Sequence, residues 1–137
     1  MPPTVFADTF YWLALARPRD PWYPAARNWL AANAATRIVT TDEVLTEYLN
    51  GLSKAGPAAR RHAAATVHRI RINPQVQVLP QTRSDFDVAL AMYEARLDKD
   101  YSLTDCRSML AMRGMGISEV LSNDHHFTQE GFTVLFP

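Results

Sequence analysis

The sequence predicts an α/β sandwich with a mainly parallel central sheet, in one domain formed by residues 1–137. Two patterns indicate this class: short apolar segments of strand length alternate with longer segments that carry apolar residues at helical spacing. Strands that are apolar along their whole length are typical of a parallel sheet covered on both faces. With 137 residues, 47% of them hydrophobic and 20% charged, the chain is able to bury one core.

The first half of the chain divides at its prolines and at capping residues. An apolar segment ends at Asp8, and Pro18 and Pro21 separate the two helices that follow it. The run Thr40-Thr-Asp-Glu43 resembles a capping box, which opens the next helix. The predicted elements are a strand over 4–7, helices over 9–16 and 22–35, a strand over 37–40, and helices from about 40 to 56 and 58 to 72.

The second half repeats this alternation. Asn73-Pro74 ends the preceding helix, and a second capping-box pattern, Ser102-Leu-Thr-Asp105, opens a long helix that Gly114 and Gly116 should stop. The predicted elements are strands over 76–80, 119–122 and 132–136, helices over 82–97 and 102–112, and a turn or short helix over 125–127. The predicted helix over 82–97 places apolar side chains on one face: Phe86, Ala89, Leu90, Tyr93 and Leu97.

Composition narrows the environment of the protein. Cys106 is the only cysteine, so a disulfide framework and a cysteine zinc cluster are excluded, and a reducing cytoplasm is expected. Neither a signal-peptide pattern nor an apolar run of membrane-spanning length is found, which also favours a cytoplasmic protein. We expect Cys106, on the apolar side of its helix, to be a buried small side chain rather than a nucleophile.

Two acidic residues follow predicted strands and are candidates for function. Asp8 comes directly after Val5-Phe-Ala7, and Asp124 comes after the strand over 119–122. In parallel α/β sheets, ligands bind outside the carboxyl ends of the strands, where the chain turns into helices. The alternative for both residues is a local role as a helix N-cap.

Two further acidic candidates lie in the first two turns of predicted helices. Asp105 stands three residues after Ser102, so a capping box competes with a functional role, and both remain open. Glu43 has the same capping explanation through Thr40, whereas Glu47 flanks the apolar stripe one turn further in. Glu47 is therefore the functional candidate of its helix.

Four carboxylates at one edge of a sheet would repel one another strongly. Such a cluster is tolerated when its members are protonated or bridged by cations, and carboxylate oxygens favour Mg²⁺ or Mn²⁺. The simplest physical explanation for Asp8, Glu47, Asp105 and Asp124 is therefore a divalent-metal site.

Four motifs stand in order along nearly the whole chain: Val5-Phe-Ala-Asp8-Thr9, Thr40-Thr-Asp-Glu-Val-Leu-Thr-Glu47, Tyr101-Ser-Leu-Thr-Asp105-Cys106 and Val120-Leu-Ser-Asn-Asp124-His-His-Phe127. Together they resemble the motifs of the PIN-domain family, in particular VapC-type toxins and their stand-alone relatives. The resemblance implies a PIN-like α/β/α sandwich and an endoribonuclease that uses Mg²⁺ or Mn²⁺ to hydrolyse RNA phosphodiester bonds. It also implies that the four acids bind the metal, and it suggests a type II toxin, a cognate antitoxin and a homodimer.

The same resemblance points to supporting polar groups at Thr9, Thr104 and Asn123, for which ordinary capping is the alternative. His125 and His126 are candidates for contact with the metal or the leaving group. Adjacent histidines in a surface turn are more commonly solvated, however, and we favour that interpretation for both.

The charge pattern adds a candidate RNA-binding helix. Fourteen basic residues balance fourteen acidic ones, so the net charge attracts no nucleic acid, but the helix over 58–72 carries Arg60, Arg61 and Arg69 without an acid among them. Arginine suits contact with phosphates. The alternative is a solvated helix face.

Two rival functions remain. A receiver or phosphatase domain with Asp8 as phosphoryl acceptor would ordinarily need a lysine near the end of a late strand, and neither Lys54 nor Lys99 lies there. The second rival is a non-catalytic RNA-binding or interaction module with a PIN-like fold. The presence of all four acids argues against it.

Overall fold

The computed structural model describes residues 3–137 and contains a five-stranded parallel sheet flanked by helices. This confirms the predicted fold class, with a sheet that is wholly rather than mainly parallel. The elements are β1 (Thr4–Ala7), α1 (Thr9–Ala16), α2 (Tyr23–Ala32), β2 (Arg37–Thr41), α3 (Asp42–Leu52), α4 (Pro57–Ile72), β3 (Val76–Leu79), α5 (Arg83–Ala95), α6 (Leu103–Met115), β4 (Glu119–Leu121), α7 (His126–Gln129) and β5 (Thr133–Val134).

The strand order β3-β2-β1-β4-β5 places β1 at the centre of the sheet. Phe6 pairs with Val39 of β2 on one side and with Val120 of β4 on the other, and all three side chains are buried. Apolar side chains on both faces of the central strands therefore form the core, as a parallel sheet covered by helices requires. Because the strands are parallel, the ends of β1, β2 and β4 lie at one edge of the sheet.

The start of α3 differs from the prediction. Thr41, and not Thr40, caps the helix, since its hydroxyl accepts a hydrogen bond from the N–H of Val44 at 3.1 Å. Thr40 belongs to β2, where its hydroxyl donates to the carbonyl oxygen of Ala7 at 2.9 Å. The predicted capping box between Thr40 and Glu43 is therefore wrong, and Glu43 is paired with an arginine instead.

Three other boundaries moved. α2 ends at Ala32 rather than residue 35, and β5 comprises only Thr133–Val134. Gly114 lies inside α6, which ends at Gly116 with φ of +68°, a left-handed conformation that glycine adopts without strain. Of the two glycines, only Gly116 therefore stops the helix.

The predicted apolar face of α5 is largely uncovered. Ala89 and Met92 are buried, but four large side chains stay exposed: Phe86, Leu90, Tyr93 and Leu97, the last at 88%. Of the predicted face only Ala89 is buried, so the prediction is wrong for most of it: Met92, which it left out, packs into the core, and Leu97 lies beyond the end of the helix. Across the described part of the chain, we find no helix with both the length and the apolar character needed to cross a membrane.

Candidate metal centre

The centre of the carboxyl edge of the sheet is formed by the residues that follow β1 and β4. These strands pair Phe6 with Val120 and Ala7 with Leu121, so Asp8 and Ser122 occupy the next positions along the same register. The hydroxyl of Ser122 donates to Oδ2 of Asp8 at 2.9 Å, and both residues are buried. Parallel pairing thus brings residues 114 positions apart into direct contact.

Asp8 is held in an unfavourable environment for a charge. It occupies the N-cap position of α1, but its side chain makes no capping hydrogen bond, so local capping does not account for it. Burial, followed by the negative charge of Asp105, raises the pKa of Asp8 to about 7, although the Ser122 hydrogen bond opposes the shift. The negative charge of Glu47 adds to the increase, so the charges of two other predicted site residues act on Asp8.

Glu47 reaches this edge from the second turn of α3. Oγ1 of Thr9, the first residue of α1, donates to Oε1 of Glu47 at 2.5 Å. A short hydrogen bond to a carboxylate fixes the orientation of that carboxylate. Because Thr9 is buried beside Asp8, it holds Glu47 towards the end of β1.

Asp105 makes the predicted capping box at the start of α6. Its Oδ2 accepts from the N–H of Ser102 at 3.0 Å, and its own N–H donates to the Ser102 hydroxyl at 3.0 Å. The cap uses one lone pair of Oδ2, and the carboxylate keeps the second lone pair of that oxygen and both lone pairs of Oδ1, so capping and metal ligation are compatible. Burial is the main cause that raises the pKa of Asp105, and the charges of Asp124 and Glu47 raise it further.

Asp124 completes the group from the loop after β4. Its N–H is held by the Ser122 hydroxyl at 3.1 Å, and its Oδ1 accepts from the backbone N–H of His126 at 2.9 Å. Nδ1 of His126 lies 3.3 Å from Oδ1 of Asp124 and 3.7 Å from Oδ2 of Asp105. Asp105, Asp124 and His126 therefore present three possible ligand atoms within 4.8 Å of one another.

The expectation that both histidines are solvated is wrong for His126 and correct for His125. His125 is exposed, whereas Nδ1 of His126 is buried and has no hydrogen-bond partner. The sequence contained a weak signal for this difference. Phe127 follows His126 directly and is fully buried, so the start of α7 faces the core.

The prediction that Cys106 is buried is confirmed, because its side chain is fully enclosed.

The other predicted residues occupy varied positions. Thr104 is half-buried in the first turn of α6, and Asn123 is exposed in the loop after β4. The three arginines of α4 are exposed; Arg60 donates to the carbonyl of Ser53 at 3.1 Å, and Arg69 donates to the hydroxyl of Thr66 at 3.0 Å. Nothing in these contacts joins the arginines to the carboxylates.

The roles of two polar side chains, Ser122 and Arg107, were not identified from the sequence. Ser122 supports both Asp8 and Asp124, and its position two residues before Asp124 was the available signal. Arg107 is buried between helices and donates to Glu43 at 3.0 Å, while its Nη2 lies 3.4 Å from Asp85. Glu43 thus has a structural partner, which separates it from the four acids.

The donor set suits a divalent cation. In the described part of the chain, the ion pairs of lysine and arginine involve other acids, and none neutralises Asp8, Glu47, Asp105 or Asp124. Carboxylate oxygens are the ligands that Mg²⁺ and Mn²⁺ take, and a cation here would relieve the repulsion that raises the pKa of Asp8 and Asp105. The unpartnered nitrogen of His126 points to the same conclusion.

Comparison with known proteins adds independent information. Residues 5–132 match the model of a family described as PIN domain. The chain is 27% identical over 133 residues to a Mycobacterium tuberculosis (strain H37Rv) protein named 23S rRNA-specific endonuclease VapC20, covering 97% of this chain and 98% of the relative. The crystal structure of that VapC20, described as a sarcin-ricin loop cleaving toxin, superposes with a TM-score of 0.82 over 94% of this chain and 96% of the other.

More distant structures share the architecture. FitAcB from Neisseria gonorrhoeae gives a TM-score of 0.65 at 14% identity, covering 95% of each chain. VapBC2 from Rickettsia felis, bound to a DNA fragment from its promoter, gives 0.64 at 12% identity, covering 96% of each chain. At these identities the similarity shows the fold alone.

Proposed function

The chain belongs to the PIN-domain family, and from this membership we propose that it is a metal-dependent endoribonuclease that hydrolyses RNA phosphodiester bonds. The observation that carries the proposal is the crowding of carboxylates at the edge of the sheet, where burial and the charges of Asp105 and Glu47 raise the pKa of Asp8 to about 7. Strongly perturbed acids gathered without a cationic partner are typical of functional sites.

We assign Asp8, Glu47, Asp105 and Asp124 as the ligands of Mg²⁺ or Mn²⁺ and as the catalytic acids. When bound by these residues, a divalent cation would activate water for attack and would stabilise negative charge on phosphate oxygens. The chain supplies the positioning: Ser122 holds Asp8, and Thr9 holds Glu47. A carboxylate of the group also accepts the proton of the attacking water.

Thr104 and Asn123 are assigned supporting roles, on the strength of the family motifs alone. Thr104 adjoins Asp105 in the first turn of α6, and Asn123 adjoins Asp124 in the exposed loop. A hydroxyl and an amide at these positions suit hydrogen bonding to the substrate phosphate or to its ribose. Their removal should weaken cleavage less than removal of an acid.

The substrate class follows from the full-length relative. Because a protein that aligns with 97% of this chain is named a 23S rRNA-specific endonuclease, 23S rRNA is the first substrate to test. Purified protein should cut RNA in the presence of Mn²⁺ and lose this activity in EDTA, with the cut position read by primer extension on ribosomes. Binding of RNA with no cleavage in Mn²⁺ would instead favour the non-catalytic interaction module.

We propose that α4 holds the RNA backbone through Arg60, Arg61 and Arg69. All three side chains are exposed on one helix, whose last turn adds Arg71 to Arg69. Replacing them with alanine should weaken RNA binding and reduce the slope of log affinity against log salt by up to about 3, roughly one per phosphate contact.

The matched control for that experiment removes the same charge elsewhere, at the exposed residues Arg19, Arg37 and Arg83. It should leave the salt slope close to that of the wild type. If both triple variants lost RNA affinity equally, the effect of the α4 arginines would be one of overall charge and not of direct contact with RNA.

We also propose that the protein is the toxin of a type II toxin–antitoxin pair and forms a homodimer. The toxin–antitoxin pair is supported by the relative described as a toxin and by VapBC2 among the structures with this fold. The homodimer is proposed from the family resemblance alone. Expression of the chain alone should stop growth, and expression of a neighbouring antitoxin gene should restore it. Light scattering on the purified protein measures the homodimer directly.

A further inference from the structure

We propose that His126 is a nitrogen ligand of the divalent cation, bound through Nδ1 beside Asp105 and Asp124. This inference rests on the proposed metal-dependent function and adds a residue of a different chemical class to its four acids. It assigns a specific job to a histidine whose neighbour, His125, is exposed to solvent.

The first support is the unsatisfied nitrogen. Nδ1 of His126 is buried, and although it lies 3.3 Å from Oδ1 of Asp124, it makes no hydrogen bond there. A buried polar atom without a partner is rare and costs free energy, because its hydration has been lost without replacement. A neutral imidazole with its lone pair on Nδ1 recovers that energy when it binds a cation.

The second support is the spacing of the ligand atoms. Two atoms bound side by side on a cation at about 2.1–2.2 Å stand roughly 3 Å apart. Nδ1 of His126 lies 3.3 Å from Asp124 and 3.7 Å from Asp105, and one ligand atom from each of the three residues falls within 4.8 Å of the others. Small movements of the side chains would bring the three atoms to ligand spacing.

The third support is the way the ring is held. The backbone N–H of His126 donates to Asp124, and the ring packs edge to face on Tyr101 with centroids 5.3 Å apart. The Tyr101 hydroxyl donates to Glu130 at 2.9 Å, and Glu130 is paired with Arg96 and Arg113. Apolar packing thus fixes the ring from outside and leaves Nδ1 free to face the carboxylates.

A nitrogen ligand has a consequence for the choice of metal. Mg²⁺ strongly prefers oxygen ligands, whereas Mn²⁺ accepts imidazole more readily. The protein should therefore bind Mn²⁺ more tightly than Mg²⁺, and His126→Gln should reduce that preference. We expect the Kd for Mn²⁺ to rise at least about tenfold in this variant, with a smaller change for Mg²⁺.

The decisive experiment uses protein labelled with ¹⁵N only at histidine and loaded with Mn²⁺, examined by electron–nuclear double resonance. Wild type and His125→Gln should both show the coupling of a directly bound ¹⁵N, and His126→Gln should lose it. Bound Mn²⁺ with no histidine coupling in the wild type, or coupling that survives in His126→Gln, would overturn the inference alone. A wild-type protein that binds no Mn²⁺ would overturn both the inference and the proposed metal dependence.

Discussion

Asp8 is buried and the side chain of Glu130 is only 8% exposed, yet their environments move the pKa values of these two acids in opposite directions. Burial and the neighbouring charge of Asp105 raise the pKa of Asp8 to about 7, whereas hydrogen bonds from Arg96 and Arg113 lower that of Glu130 to about 2. Glu130 receives cations from the chain itself. Asp8 receives neutral hydrogen-bond donors, the Ser122 hydroxyl and the backbone of Thr9, and the charges that act on it are negative.

The difference separates a structural acid from a functional one. Glu130 joins the end of α5, the Tyr101 loop and α6, and its partners already compensate its charge. Arg107 serves a similar purpose for Glu43, only two residues along α6 from Asp105. The chain therefore places arginines close to the acidic group without pairing them with it, which leaves the group to an external cation.

The largest effect is expected when one acid of the group is made neutral. Asp8→Asn, Glu47→Gln, Asp105→Asn and Asp124→Asn should each reduce Mn²⁺-dependent cleavage by about 10³-fold or more, which corresponds to about 4 kcal/mol. Thermal melting without metal should be unchanged or improved, because repulsion is relieved. Asp87→Asn, an exposed acid on α5, is the control and should cleave normally.

The pH dependence of stability should have opposite signs in the two regions. Because the folded pKa of Asp8 is raised, the metal-free protein should lose stability as pH rises from about 4 towards 7, by at most about 4 kcal/mol. The contribution of Glu130 is present above its unfolded pKa and is lost as pH falls towards about 2. Urea unfolding between pH 5 and 8 measures the first effect, and Asp8→Asn should flatten it.

Removing the charge of Glu130 should affect stability without affecting the metal. Glu130→Gln leaves Arg96 and Arg113 without their carboxylate, and since both arginines are partly exposed we expect a loss of about 2 kcal/mol. Denaturant unfolding measures this loss. If Glu130→Gln kept full stability but bound Mn²⁺ poorly, Glu130 would be a functional acid and not a structural one.

The smallest effect is expected at Ser122. Ser122→Ala removes the hydrogen bond that favours ionised Asp8, so the pKa of Asp8 should rise further and apo stability at pH 8 should fall by about 1 kcal/mol. The exposed Ser118→Ala is the control. If both variants gave the same pH profile, Ser122 would have no role in tuning Asp8.

Much of the fold could be predicted because its signals are local. The apolar run before Asp8 and the proline breaks fixed β1 and the helices around it, and Ser102 with Asp105 formed the capping box that their spacing indicates. The error at Thr40 has a local cause, since Thr40 and Thr41 are adjacent and equally able to cap. Only the pairing of β2 with β1, which occupies Thr40 with Ala7, decides between them.

Part of the candidate site could also be predicted, because some of its signals lie in short stretches of sequence. The four acids were recognisable because family motifs surround them, although their roles remain predictions. His126 and Ser122 were misjudged or missed, because their importance comes from contacts across the sheet and between loops. The exposed face of α5 shows the converse limit: periodicity identifies an apolar face but does not reveal what covers it.

Mn²⁺ binding to the metal-free protein tests the central claim most directly. Titration followed by the electron paramagnetic resonance signal of free Mn²⁺ should show tight binding by the wild type and by Glu130→Gln. Asp105→Asn should bind at least about tenfold more weakly, since it loses a charged oxygen ligand. Equal binding by all three proteins, or stronger dependence on Glu130 than on Asp105, would contradict the assignment of the crowded acids as the metal centre.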